Sequence, residues 1–211
     1  MAAADWDAFR RVTFRRAGKL TWDELAEGGY IELSDDGATL KGVHEGLYGR
    51  LVVSEAVTAY GNVAFNGSQL EEIWSPCTVP ETNGAFGGAR ELKTVRFFGD
   101  LQELNYKCFS GCEKLDNVVL EDGITQIGNS AISECALTKI RIPDSVKTVL
   151  SGAFAYNDLT DITIGKGVEK IGSRAFAVNP AMSIAVPDHV SVIGAQAIGY
   201  GINPGDPYGD L

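Results

Sequence analysis

Residues 115–136 read LDNVVLEDGITQIGNSAISECA, residues 137–158 LTKIRIPDSVKTVLSGAFAYND, and residues 159–180 LTDITIGKGVEKIGSRAFAVNP. They are three consecutive copies of one 22-residue unit. The same register places further units at Tyr48, Leu70, Leu92 and Ala181, so seven copies are expected. Apolar residues fill the fourth position of every copy: Leu51, Ile73, Val95, Val118, Ile140, Ile162 and Ile184. The sixth position holds Val53, Phe97, Leu120, Ile142, Ile164 and Val186, broken only by Ser75. A third column runs Val57, Val79, Leu101, Ile124, Val146, Val168 and Val190; a fourth holds Phe65, Phe109, Ile132, Phe154, Phe176 and Ile198, with Phe86 one residue early.

Alternation at positions four to six is the period of a short strand, and the later apolar residues are spaced irregularly among Gly, Pro, Asp and Asn. Each unit is therefore one strand plus one return path. A unit this short cannot bury its own apolar columns, so neighbours must stack. The expected fold is a repeat solenoid of about seven coils with one parallel sheet along a face. Gly61, Gly128, Gly172 and Gly194, with Asn83 and Asn105, share one place, where a left-handed turn is expected; Leu150 is the exception.

Residues 1–47 are expected to form an N-terminal arm and cap, 48–203 the solenoid, and 204–211 a tail. Thr21-Trp22-Asp23-Glu24 has the form of a helix capping box, and Tyr30–Leu33 with Ala38–Val43 flank an Asp35-Asp36-Gly37 turn as a hairpin would.

The unit L-x-x-I-x-I-P-x-x-V-x-x-I-G-x-x-A-F resembles the BspA-like class of leucine-rich repeat. Leu159–Phe176 carries the resemblance best: Ala175-Phe176 matches the Ala-Phe pair of that class, and Gly165 stands where proline is usual, as Pro143 does one unit earlier. The resemblance implies a curved, generally non-catalytic leucine-rich-repeat solenoid used for adhesion and protein recognition, secreted or on the cell surface. Against the secreted examples, Met1–Asp7 has no charged-then-apolar leader pattern, and no run of 18 apolar residues offers a membrane span.

The formal charge is −10, yet residues 1–20 carry five cations against two acids. The acidic body argues against nucleic acid and anionic membranes as partners. On the sheet face, side chains between the inward positions point to solvent. There Trp74 beside Arg96, with Phe98 at the strand end and Lys139 and Arg141 two coils on, make an aromatic and basic patch of the kind enriched in interface hot spots. A protein or glycan ligand is expected on this patch.

The N-terminal segment with Trp6, Arg10, Arg11, Arg15 and Arg16 has two readings. It can cap the first coil, or it can dock to an acidic partner or a sister subunit. In the docking case the chain would be a structural or decoration component of a larger particle, such as a virion or injection machine.

Catalysis is not expected. His44 and His189 are far from any serine or cysteine nucleophile, and Gly165-Lys166-Gly167 obeys the repeat rather than a phosphate loop. No cofactor or metal is expected either: Cys108 and Cys112 have a zinc-like spacing, but Cys108 occupies the inward Ala column. Cys112 and Cys135 fall at equivalent positions of adjacent coils, where a disulfide is geometrically possible and a ladder of buried free thiols is the favoured reading.

Overall fold

The computed structural model describes residues 15–76, 84–98, 101–180, 184 and 186–198. Six successive coils from Tyr48 to Pro180 and part of a seventh stack as a parallel solenoid. Along one face run β1 (Arg15–Arg16), β4 (Leu47–Val52), β6 (Gln69–Pro76), β7 (Thr94–Phe98) and β9 (Asn117–Val119), hydrogen-bonded in that order. β11 (Lys139–Arg141) and β13 (Asp161–Thr163) carry the same columns onward as a separate parallel pair. Register follows the repeat, with Ile73 opposite Val95 and Ile140 opposite Ile162.

The return path is more ordered than a single sheet requires. β8 (Glu103–Leu104), β10 (Gln126–Ile127), β12 (Thr148–Val149), β14 (Lys170–Ile171) and β15 (Val192–Ile193) form a second parallel ladder of two-residue strands. In the first four of these the second residue is the buried one, and the polar residue before it faces outward.

The glycine column is a correction to the expected turn. None of Gly61, Gly128, Gly172 and Gly194 has a positive φ. Their role is clearance: a Cβ on Gly128 would lie 2.5 Å from the Leu104 carbonyl oxygen, and one on Gly172 would lie 2.6 Å from the Ser151 nitrogen. The left-handed residues come two places later, at Val63, Lys107, Ser130, Gly152, Arg174 and Gln196, and again four places on at Gly67, Gly111, Glu134, Tyr156 and Val178. Two tight turns thus bracket the inward Ala-Phe pair of each coil.

Between those turns the backbone of each coil bonds to the next. The amides of Phe86, Phe109, Ile132, Phe154 and Phe176 donate to the carbonyls of Cys108, Ala131, Ala153, Ala175 and Ala197. The rings stack along the axis: Phe65 on Phe86 at 4.6 Å and 4°, Phe86 on Phe109 at 4.7 Å, and Phe154 on Phe176 at 5.3 Å and 3°. Such pairs contribute roughly 0.5–1.5 kcal/mol each beyond their area burial. Ser75, the break in the sixth column, is fully buried, and its hydroxyl is 2.5 Å from that of Tyr60.

A polar ladder lies beside the rings. Asn157 Nδ2 donates to the carbonyls of Ile132, Phe154 and Ala155 while its Oδ1 accepts from the Leu137 amide, and Asn179 repeats the pattern one coil on. Cys112 and Cys135 occupy this column in earlier coils as buried free thiols whose Sγ atoms contact the carbonyls of Phe86 and Phe109.

The cap follows local rules. Thr21 accepts from the Glu24 amide while Glu24 accepts from the Thr21 amide, closing the capping box of α1 (Trp22–Glu27). β2 (Ile31–Leu33) and β3 (Thr39–Val43) form the antiparallel hairpin, and β3 continues in parallel to β5 (Ala59–Tyr60), joining cap to solenoid.

Candidate partner-binding face

The alternation within β4, β6 and β7 makes a grid on the sheet face. One row crosses the strands as Val52, Trp74 and Arg96; the row beside it runs Arg50, Glu72 and Thr94. Trp74 is half-buried. Its indole N–H donates to Glu72 Oε1 at 2.6 Å, and Arg50 Nε donates to the other carboxylate oxygen at 2.6 Å. The Arg50 guanidinium sits 4.7 Å from the Trp74 ring centre and that of Arg96 5.6 Å. Each cation–π contact at an exposed site contributes about 0.5–1 kcal/mol. The ring is therefore held by the coils before and after it, and its orientation is set before a partner arrives.

Partial burial disfavours ionisation of Glu72, but the hydrogen bonds from Arg50 and Trp74 and the charges of Arg50 and Arg96 outweigh it and hold the carboxyl below its usual range.

The other residues of the sequence patch lie apart. Phe98 ends β7 in register with Pro76. Lys139 and Arg141 are exposed on β11, three coils from Trp74, which at ~4.8 Å per coil is roughly 14 Å. They line a separate shallow cleft of about 280 Å³ with Asn117, Val119, Asp161 and Thr163. The face thus has two centres, not one continuous patch. Sequence reasoning passed over Arg50 and Glu72, whose contacts with Trp74 cross between coils and depend on the stagger of the strands.

Arg15 and Arg16 form β1, paired with Leu47 and Tyr48 at the edge of the sheet. The first coil is thereby covered by a strand of the N-terminal segment. Trp6, Arg10 and Arg11 lie outside the described residues. At this end of the face Arg16, Lys19, Arg50 and Lys93 line a cleft of about 660 Å³ together with Glu71 and Glu72. Arg50 pairs with Glu72, and Lys93 with Glu71 at 3.4 Å.

Among the described residues no three His, Cys, Asp or Glu side chains gather as a metal site would, and no helix is long and apolar enough to cross a membrane. His44 is buried, accepting from the Gly46 amide through Nδ1.

A parallel solenoid of short coils with a strand-lined face is the architecture of leucine-rich-repeat proteins. The family profile described as BspA type leucine rich repeat region matches residues 82–202 in six copies, and the chain belongs to that family. No curated protein matches it. Among solved structures, a leucine-rich-repeat protein of T. pallidum aligns with a TM-score of 0.55 at 19% identity, over 78% of this chain and 82% of that one. A leucine-rich-repeat protein of Bacteroides ovatus gives 0.46 at 19% identity, over 78% and 59%. A leucine-rich cell surface protein of Faecalibacterium prausnitzii gives 0.47 at 20% identity, over 79% and 49%. The first likeness shows the fold alone.

Proposed function

We propose that this chain is a non-enzymatic recognition module that binds a protein partner through the first coils of its sheet face. The observation that carries the reading is the Trp74 ring, partly exposed and held between Arg50 and Arg96 by contacts from both neighbouring coils. Tryptophan and arginine dominate interface hot spots because they offer large contact area and donors at fixed geometry. Val52, half exposed in the same row, extends the apolar surface beside the ring. Display at the cell surface is what the family resemblance implies, and it stands only as part of the same proposal.

The test is isolation of a partner from the native source with the full chain, followed by binding measurements with that partner purified. Trp74→Ala with Arg96→Glu is expected to weaken binding by about tenfold or more. Binding that survives this pair but is lost on reversing Lys139 and Arg141 would move the site to β11. Binding lost only when residues 1–19 are removed would favour the second reading, an assembly component held by its N-terminal segment; what supports that reading is the charge contrast between residues 1–20, with five cations against two acids, and the acidic remainder.

A further inference from the structure

We infer that the segment bound at the cap end of this face is an acidic peptide. The inference deepens the proposed partner-binding function and rests on it. Two parts of the chain distant in sequence build the cleft: Arg16 and Lys19 come from β1 and the turn after it, and Arg50, Glu71, Glu72 and Lys93 from the first coils. The Arg16 side chain lies along Gly49, where a Cβ would stand 3.2 Å from its Cγ, so the absence of a side chain there leaves the arginine its path.

Charge decides the ligand class. The chain as a whole is −10, yet four cations line this cleft against two carboxylates. Those two carboxylates are taken by Arg50 and Lys93. Arg16 and Lys19 make no ion pair among the described residues, and a cationic spot on an anionic body steers acidic ligands toward itself.

The carboxylates decide between peptide and uniform polyanion. Glu71 and Glu72 stand among the cations, so a sulfated glycan or nucleic acid would press like charges on them. An extended peptide brings carboxylates for Arg16 and Lys19 and backbone N–H donors for the glutamates. Its apolar side chains can rest on Val52, and the cleft volume of about 660 Å³ suits a short segment.

The experiment uses the full chain and a fluorescein-labelled peptide of alternating glutamate and glycine, read by fluorescence anisotropy. Saturable binding is expected, falling about tenfold or more between roughly 0.05 and 0.5 M salt. The peptide with glutamine in place of glutamate is expected not to bind. Arg16→Glu with Lys19→Glu should abolish binding, while Lys166→Glu with Arg174→Glu, an equal change in net charge far from the cleft, should leave it within about twofold.

Binding that survives the first pair, or that falls equally in both, overturns the inference. Tighter binding of a heparin oligosaccharide than of the peptide overturns it as well. Circular dichroism checks folding, and Arg16→Gln with Lys19→Gln replaces the reversal if it melts early. If no peptide binds while a purified partner still depends on Trp74, the acidic ligand is refuted and the partner-binding reading stands.

Discussion

Arg50 Nε lies 2.6 Å from Glu72 Oε2 while its guanidinium stands 4.7 Å from the Trp74 ring centre. One arginine thus fixes both the ring and the carboxylate that receives the ring's N–H. Because the folded state holds the Glu72 carboxyl below its usual range, its contribution to stability is present above the unfolded value of about 4.3 and is lost as pH falls through the folded value. The melting temperature of wild type should exceed that of Glu72→Gln near neutral pH. The gap should close below about pH 4, and a gap that stays constant with pH would contradict this account.

The glycines separate two effects that look alike in sequence. Gly128→Ala puts a methyl against the Leu104 carbonyl and is expected to cost about 1–3 kcal/mol in urea unfolding. Gly111→Ala has open space but a φ of +77°, for roughly 1–2 kcal/mol of backbone strain. Gly42→Ala meets nothing closer than 4.0 Å and should stay within about 0.5 kcal/mol.

Asn157→Ala should be the costlier of two substitutions in the polar ladder. It leaves the buried Leu137 amide without its acceptor and the Ile132 carbonyl without its donor, while the Phe154 and Ala155 carbonyls keep the Asn179 side chain and the Glu134 amide, for about 2–3 kcal/mol. Cys135→Ala removes only weak thiol contacts and should cost about 1 kcal/mol. Equal losses at the two positions would mean that packing, not hydrogen bonding, sets the column.

Burial, with Cys108 nearby, pushes the Cys112 thiol up to about 12, and burial raises Cys135 further. At pH 8 neither offers much thiolate. Peptide-level mass spectrometry after iodoacetamide treatment should find both at least about a thousandfold slower to react in the native protein than in urea.

The stacking columns were legible because burial repeats with the unit: Ile73, Val95, Phe109, Phe154 and Phe176 are all inside, as their spacing requires. The turns were not. Left-handed positions hold Val63, Lys107, Ser130 and Arg174, types that do not announce a positive φ, while the conspicuous glycines serve backbone clearance. Leu150 in the glycine column was the available hint, since a bulky residue there contradicts a left-handed turn. The second ladder was hidden because two residues are too few to display alternation. At the candidate site Trp74 and Arg96 were legible as neighbours in one row, whereas Arg50 over Trp74 runs diagonally and needs the stagger of β4 against β6.

The amides of Phe86, Phe109, Ile132, Phe154 and Phe176 each donate to the coil that follows. A cut between two coils strands a whole rank of donors, but removing or adding one complete unit brings together edges that already match. Length in this protein is therefore counted in whole coils. Loss or duplication of a unit after β7 would shorten or extend the face while leaving the contacts around Trp74 in place.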